Sequence, residues 1–276
     1  MNLVLNTMIA LLLICALPGK IFAGPKAELW PRWQAHDPAG TQKVDHSAWQ
    51  AFMDEYLVTD HPSGVNLVRY GAVKPEDRKN LDEYLDKLQE TAVSQLNRDE
   101  QMAYWLNFYN ALTVQVILEH YPVNSIRRIN ISPGWFTRGP WGAELVEVEG
   151  EKLTLDDMEH RILRPIWQDA RIHYGVNCAS IGCPNLQPHA FTAANTDELL
   201  TLGAREHINH PRGVTVEDRR LRLSYIYDWF QEDFEGSEEG VLRHLKKYAE
   251  PALAEQLKNF RGRITYDYDW SLNDSP

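Results

Sequence analysis

The segment WLNFYNALTVQVIL, residues 105–118, is the strongest constraint on how this chain can fold. It lies within a predicted helix that runs from about Asp99 to His120 and is closed by Tyr121-Pro122. Apolar side chains cover nearly every side of this helix, and a helix of that kind has to be buried all round. We therefore predict a central helix that the rest of the chain encloses.

Two asparagines, Asn107 and Asn110, interrupt the apolar surface of this helix. Asparagine competes for backbone hydrogen bonds and favours helix ends and turns, so its presence here runs against local propensity. Because the two residues are three positions apart, they share one face and need partners if they are buried. They either tie the helix to a neighbouring loop or take a direct part in chemistry.

The rest of the chain divides into a lead-in and one main domain. Residues 24–75 are rich in Pro, Gly, Asp and His, contain a possible strand at 65–70, and are predicted to wrap the domain at 76–276. The pattern within that domain predicts a helix over 76–97, a strand-turn-strand at 143–155, and a helix from 155. It also predicts strands at 221–223 and 263–270, with helices at 225–234, 238–248 and 251–260. With 43% hydrophobic residues, the chain can build one large core.

Residues 1–23 read as a secretory signal peptide cleaved near Ala23, because a short apolar stretch ends abruptly at Pro18-Gly19-Lys20. The stretch is about half as long as a bilayer span, so a retained anchor is the alternative with less support. Cleavage removes Cys15 and one charged residue, Lys20, and changes the net charge from −11 to −12. Such an acidic protein has no electrostatic reason to bind nucleic acid or anionic lipid. We predict a periplasmic or secreted protein without stable membrane insertion, and leave its oligomeric state open.

The segment HYGVNCASIGCP, residues 173–184, holds the two cysteines that remain, Cys178 and Cys183. Residues 171–176 alternate as a strand would, which predicts that Cys178 follows a strand end. Three interpretations stay open. The cysteines form a structural disulfide, as lone pairs in an oxidising compartment usually do; they bind zinc together with His173 and His189; or Cys178 is a nucleophile with His173 as its base.

The helix TLDDMEHRILRPIW contains a carboxylate, Glu159, near the middle of its apolar arc. A buried carboxylate needs a partner, which is either an arginine, such as Arg164 or Arg171, or the imidazole of His173. Thr154 and Asp157 predict a capping box at the start of this helix. His160 lies about 100° further round the helix and is predicted to be exposed.

Four motifs, WLNFYNALTVQVIL, TLDDMEHRILR, RIHYGVNCASIGCPNL and LSYIYDWFQEDF, resemble in order and spacing the domain-of-unknown-function 547 family over residues 98–235. That family looks related to papain-like and transglutaminase-like cysteine enzymes. The resemblance implies an α+β fold with a helical N-terminal half and a small antiparallel sheet. It also implies a catalytic set of Cys178, His173 and Glu159. One departure is that His173 precedes the cysteine here, whereas papain-like enzymes usually place their cysteine well before the histidine.

The resulting hypothesis is nucleophilic acyl transfer on an amide, isopeptide or thioester bond, for example of a small thiol peptide. His173 would take the proton of Cys178, and Glu159 would hold the imidazole. Asn107, Asn110 or Ser180 would stabilise the oxyanion, and Cys183 would be a redox partner or accessory. The expected partner is a small-molecule or peptide substrate, with no cofactor and no metal. The rival hypothesis is a binding module with a structural disulfide or a zinc site.

Overall fold

The computed structural model describes residues 24–134 and 137–275. The predicted signal peptide lies outside the described residues. The longest helix, α3 (Arg98–His120), begins where the side chain of Asn97 accepts a hydrogen bond from the Glu100 amide. Nearly all of its side chains from 100 to 118 are buried, including both asparagines. The prediction of a central, enclosed helix is therefore confirmed.

The described residues form helices interspersed with short strands, most of them in pairs. The other helices are α1 (Ser47–Tyr56), α2 (Pro75–Gln89), α4 (Arg164–Trp167), α5 (Ile172–Gly175), α6 (Thr196–Ile208), α7 (Ile226–Trp229), α8 (Glu238–Tyr248) and α9 (Pro251–Asn259), with a π-helix at Asp157–Leu163 and 3-10 turns at Pro31–Gln34, Tyr70–Ala72, Val93–Gln95, Ile126–Arg128 and Gln231–Phe234. The predicted cap of α8 is present, since Ser237 Oγ accepts from the Gly240 amide at 3.1 Å.

The strands make three small sheets. They are β1 (Leu57–Val58), β2 (Leu67–Val68), β3 (Val146–Val148), β4 (Glu151–Leu153), β5 (Val214–Glu217), β6 (Arg220–Ser224) and β7 (Arg263–Asp267). The pairs β1–β2, β3–β4 and β5–β6 are antiparallel, whereas β7 adds to β6 in parallel. The molecule thus mixes helices with small, mostly antiparallel sheets, and the predicted strand at 65–70 is only two residues long.

Two hydrophobic clusters fill the interior. The first surrounds α3 and takes side chains from α1, α2, β3, β4 and the π-helix. The second lies among α6, β5, β6, α7 and α8. The short helix α5 stands between them, because Ile172 and Val176 pack into the first cluster and Tyr174 into the second. The cysteine segment at 173–184 therefore begins at the junction of the two cores.

The predicted strand at 171–176 is wrong, because these residues form the single turn of α5 followed by extended Val176. Their alternation has another cause. In one helical turn, residues four apart share a face, so Ile172 and Val176 point one way and Tyr174 points the other. When both faces are buried, an apolar alternation no longer distinguishes a strand from a helical turn.

The helix predicted from 155 is present but has a different form. Its capping box is confirmed, since Thr154 Oγ1 accepts from the Asp157 amide at 2.9 Å and Asp157 Oδ2 accepts from the Thr154 amide at 3.0 Å. Beyond it, Asp157–Leu163 is a π-helix with i to i+5 hydrogen bonds. The wider turn brings His160 inward beside Glu159. The prediction of an exposed His160 is wrong, and its side chain is buried.

Within the described ranges, none of the helices combines the length and the apolar composition that crossing a membrane would require.

Candidate active site

The loop that carries the two cysteines is held by hydrogen bonds on both sides. Asn177 anchors its start, because its amide donates to Asn110 Oδ1 at 2.8 Å and its Nδ2 donates to the Pro184 carbonyl at 2.7 Å. The C-terminal segment holds its other side, where the amides of Ile181 and Gly182 donate to the carbonyls of residues 271 and 269 at 2.8 Å. The cysteine loop is thus fixed between the central helix and the end of the chain.

Gly182 and Ala179 show how closely this loop is fitted. A Cβ atom on Gly182 would lie 2.9 Å from the backbone nitrogen of Asp269 and 3.0 Å from its oxygen, so only glycine allows the approach. Ala179 has a φ of 56°, in the left-handed region that alanine rarely adopts. Its amide donates to Asn177 Oδ1 at 2.9 Å, which stabilises this conformation.

Cys178 and Cys183 are free thiols whose sulfur atoms lie 3.1 Å apart. The Cys178 amide also donates to Cys183 Sγ at 3.0 Å, so the two residues contact each other through backbone and side chain. The pair is asymmetric, because Cys178 is partly exposed and Cys183 is buried. Of the two cysteines, Cys178 therefore lies nearer to the solvent.

Two hydroxyl groups complete the surroundings of Cys178. Its sulfur lies 3.2 Å from Ser180 Oγ and 3.1 Å from the Tyr268 hydroxyl, and these two oxygens lie 3.0 Å apart. We call Cys178, Ser180, Cys183 and Tyr268 the thiol cluster. When Cys178 is ionised, the S–H group of Cys183 and the O–H groups of Ser180 and Tyr268 can donate hydrogen bonds to its sulfur.

The thiol cluster separates the acidities of the two cysteines. The hydrogen bond from Cys183 lowers the pKa of Cys178, and those from Ser180 and Tyr268 add to this effect, although burial and the charge of Glu159 oppose it. Burial raises the pKa of Cys183 well above its usual value, and the neighbouring Cys178 raises it further. Of the two thiols, that of Cys178 is therefore the more acidic.

His173 is paired with two carboxylates. Its Nε2 donates to Asp233 Oδ2 at 2.6 Å, and its Nδ1 lies 3.6 Å from Glu159 Oε1. The ring stacks on Phe230 with centroids 4.4 Å apart. Since both ring nitrogens face carboxylates and the ring is buried, the structure does not bring His173 into hydrogen-bonding contact with Cys178. Proton transfer from Cys178 to His173 would require one ring nitrogen of His173 to break its contact with Glu159 or Asp233.

Arg164 closes the same buried network. Its Nε donates to Asp233 Oδ2 at 2.6 Å, and its Nη1 donates to His160 Nδ1 at 2.9 Å and to the Pro25 carbonyl at 2.7 Å. We call Glu159, His160, Arg164, His173 and Asp233 the ion cluster. The arginine considered as a partner for Glu159 therefore lies in the same cluster, whereas Arg171 pairs with Asp169 and Asp197.

The charges within the ion cluster stabilise one another. Burial alone would lower the pKa of His173, but the hydrogen bonds with Asp233 and Glu159 outweigh it and raise that pKa. Burial would raise the pKa of Glu159 and Asp233, yet neighbouring histidines and Arg164 lower both to about 2. Burial lowers the pKa of His160 to about 4, consistent with its nitrogen accepting from Arg164. The ion cluster thus favours the charged form of His173 and the neutral form of His160.

Aromatic rings separate the thiol cluster from the ion cluster. Tyr268 packs against Trp229 with ring centroids 5.0 Å apart, and Trp229 adjoins Phe230 at 6.5 Å. Phe230 in turn stacks on His173. Trp270 lies 4.6 Å from Tyr268 and 5.6 Å from Trp229, so a group of partly exposed aromatic rings adjoins the thiol cluster.

Asn107 and Asn110 connect α3 to the loops around the site. Asn107 Nδ2 donates to the Phe191 carbonyl at 2.7 Å, and its Oδ1 accepts from the Phe191 amide at 2.9 Å. Asn110 Nδ2 donates to the Gly175 carbonyl at 2.8 Å, and its Oδ1 accepts from the Asn177 amide. Each side chain therefore makes two hydrogen bonds to loop backbone, which is the tie between helix and loop that the sequence suggested. Of the three predicted oxyanion donors, only Ser180 contacts Cys178.

The four residues considered for zinc are not assembled into a site. His173 directs both nitrogens to carboxylates, and His189 is exposed. Among residues 24–134 and 137–275, no group of three or more His, Cys, Asp or Glu side chains is placed to hold a metal ion.

Sequence reasoning missed two residues of the site, Tyr268 and Asp233. Asp233 lies in the motif LSYIYDWFQEDF, so the motif pointed to its neighbourhood but not to its role. Tyr268 follows β7 and is 90 residues from Cys178 in sequence. No local pattern marks it, because strand alternation indicates burial but does not identify which distant side chain a strand meets.

One family model matches the segment that contains the central helix and the cysteine loop. Residues 93–208 match the model of a family described as "Protein of unknown function, DUF547". The resemblance predicted from the motifs is thus confirmed for this segment. The match includes three of the four motifs and both cysteines, while Asp233 and Tyr268 lie beyond it. Searches of curated proteins and of solved structures returned no match.

Proposed function

We propose that this protein is an exported cysteine-dependent hydrolase or acyltransferase in which Cys178 is the nucleophile. Acyl transfer to sulfur requires a thiolate that a substrate can reach. The observation that carries the proposal is the partly exposed residue Cys178, whose sulfur has three hydrogen-bonding partners within 3.2 Å, namely Cys183, Ser180 and Tyr268.

The reaction would begin with attack of the Cys178 thiolate on a carbonyl carbon. The Ser180 and Tyr268 hydroxyls, which donate to the thiolate beforehand, are the groups closest to the sulfur and can turn to the oxyanion as charge moves from sulfur to oxygen. As the tetrahedral intermediate collapses, the bond to the leaving amine or thiolate would break, and the leaving group would take up a proton from water. Water or a second nucleophile would then attack the carbonyl carbon of the thioester on Cys178, which releases the acyl group and restores the cysteine.

The roles predicted for His173 and Glu159 remain predictions. The geometry of His173 and Glu159 supports a positioning role more directly. His173 pairs with Asp233 and Glu159 and stacks on Phe230. Phe230 adjoins Trp229, which lies next to the thiol cluster. Under this proposal His173 acts on Cys178 through packing, and the thiolate is stabilised by neutral donors of the thiol cluster.

The substrate we propose is a small molecule or peptide with an amide, isopeptide or thioester bond. The aromatic border of Tyr268, Trp229 and Trp270 suits a substrate with apolar groups beside that bond. We retain a papain-like or transglutaminase-like relationship as part of the proposal. The acidic net charge and the apparent signal peptide support a periplasmic or secreted protein that binds neither nucleic acid nor membrane.

The test is to mix the reduced protein with aryl esters and aryl thioesters of several acyl groups. We expect a burst of about one leaving group per protein, followed by slower turnover, and an acyl adduct on Cys178 by peptide mass spectrometry. Cys178→Ser should abolish the burst. Cys183→Ala is the matched control, because it removes the other cysteine and should leave an acylatable Cys178. A protein whose Cys178 is alkylated by iodoacetamide but never acylated would contradict the proposal.

A further inference from the structure

The arrangement of the two sulfurs supports a second activity that acyl transfer does not need. We propose that Cys178 and Cys183 form a dithiol that reduces an organic disulfide by thiol–disulfide exchange, with Cys178 as the attacking and Cys183 as the resolving cysteine. This activity shares Cys178 with the function proposed above, and it gives Cys183 a role in bond formation beyond its hydrogen bond with Cys178.

The distance between the cysteines fits this chemistry. Their sulfurs lie 3.1 Å apart, and a disulfide bond of about 2.05 Å needs them to approach by about 1 Å. Hydrogen bonds hold the backbone of the loop without using either sulfur. Asn177 ties the two ends of the loop together, and the backbone of residues 269–273 bonds to the residues between the cysteines. The two thiols can therefore meet while the rest of the loop stays in place.

The exposure of the two cysteine residues assigns the order of attack. Exchange runs through a mixed disulfide, so one cysteine has to meet the substrate and the other has to meet only its partner. Cys178 is partly exposed and has the hydroxyls of Ser180 and Tyr268 as donors. Cys183 is buried against Cys178 and the Val176 carbonyl, where a substrate does not reach it.

In the first step the Cys178 thiolate attacks one sulfur of the substrate disulfide. A bond forms between Cys178 Sγ and that sulfur, the substrate S–S bond breaks, and the other half leaves as a thiolate that takes up a proton. Cys178 has then lost its negative charge. This matters for Cys183, because the charge of Cys178 is one of the causes that keep the pKa of Cys183 high.

In the second step Cys183 loses its proton and attacks Cys178 Sγ in the mixed disulfide. The bond between the cysteines forms, the bond to the substrate breaks, and the second half leaves as a thiolate that takes up the proton from Cys183. The Cys178 amide, 3.0 Å from Cys183 Sγ, stabilises the attacking thiolate. In total, two cysteine thiols are oxidised to one disulfide, and one substrate disulfide is reduced to two thiols.

The test uses the reduced, purified protein and the aryl disulfide 5,5′-dithiobis(2-nitrobenzoate) as the probe. The wild type should release about two aryl thiolates per protein and finish as an internal disulfide without adduct. Cys183→Ser should release one and keep the aryl group on Cys178. Cys178→Ser should react at least about tenfold more slowly, because the remaining cysteine is buried. Reaction of the wild-type internal disulfide with excess dithiothreitol should restore both thiols.

Two results would overturn the inference. One is a wild type that retains the aryl group on Cys178, since the second cysteine would then not resolve the mixed disulfide. The other is an internal disulfide that dithiothreitol does not reduce in the folded protein, because such a bond is structural. Neither result bears on acylation of Cys178, which is read out in the Cys183→Ala variant. If acylation fails and exchange succeeds, only the proposed hydrolase function is lost.

Discussion

The thiol cluster and the ion cluster differ in how they balance charge, although Cys178 and His173 are only five residues apart. In the ion cluster, His173 and Arg164 pair with carboxylates inside the protein. In the thiol cluster, the sulfur of a partly exposed residue is surrounded by neutral hydrogen-bonding groups. The comparison teaches that neighbours in sequence need not be chemical partners, because both ring nitrogens of His173 already face the carboxylates of Asp233 and Glu159.

The largest expected effect is a loss of stability when a buried carboxylate of the ion cluster is removed, compared with removal of a half-exposed carboxylate beside it. Asp233→Asn should lower the free energy of unfolding by about 3–5 kcal/mol, because it leaves buried Arg164 and His173 without their shared carboxylate. Glu232→Gln removes the half-exposed carboxylate on the same arginine and should cost less than about 1 kcal/mol. Urea denaturation measures both. Equal losses would show that burial does not decide what these pairs contribute.

The second prediction asks which cluster stabilises the thiolate. Tyr268→Phe removes a donor to Cys178 and should slow its alkylation at neutral pH by about tenfold, since a hydrogen bond to an ionised group contributes about 1.5–3 kcal/mol. His173→Asn should slow it by less, because His173 does not contact the sulfur. The measurement is the iodoacetamide rate against pH in Cys183→Ala backgrounds. If His173→Asn has the larger effect, the predicted base role of His173 is supported instead.

The third prediction concerns the pH dependence of stability. The pKa of His173 is raised on folding, so its contribution is complete below the ordinary histidine value of 6.5 and is lost as pH rises through the folded value. Glu159 and Asp233 have lowered pKa values, so their contributions are complete above the ordinary carboxyl values of 4.5 and 3.8 and are lost as pH falls towards about 2. Unfolding free energies measured across this range should therefore decline on both sides.

A histidine variant tests whether His173 causes the loss of stability on the alkaline side of this profile. His173→Asn should remove the decline above pH 6.5 that belongs to the ion cluster, whereas His189→Asn, at an exposed histidine, should leave it in place. An unchanged alkaline decline in His173→Asn would assign it to other groups.

The smallest effect concerns the backbone of the cysteine loop. Ala179→Gly should raise the free energy of unfolding by about 0.5 kcal/mol, because relief of the left-handed conformation exceeds the entropic cost of glycine. Gly182→Ala should lower it by about 1–3 kcal/mol, because a Cβ would meet the backbone of Asp269. Thermal unfolding of the reduced variants measures whether Ala179→Gly is more stable, and Gly182→Ala less stable, than the wild type.

Prediction from sequence succeeded where one segment contains the whole signal. The all-round apolar surface of residues 105–118 specifies a buried helix, and Thr154 with Asp157 specifies a cap, because both signals arise within a few residues. It failed at residues 171–176, where the same alternation fits a strand on one sheet and a helical turn between two cores. It also failed at His160, because an ideal helical spacing does not anticipate a π-helix.

By itself, the sequence determined the central helix, the cysteine segment and the presence of Glu159 on an inward-facing helix. Only the tertiary structure decided the chemical partners. Tyr268 reaches Cys178 across 90 residues, and Asp233 reaches His173 across 60. The physical reason is that hydrophobic periodicity specifies which side of a segment is buried, whereas hydrogen bonds and ion pairs depend on positions that are fixed only when distant segments pack together.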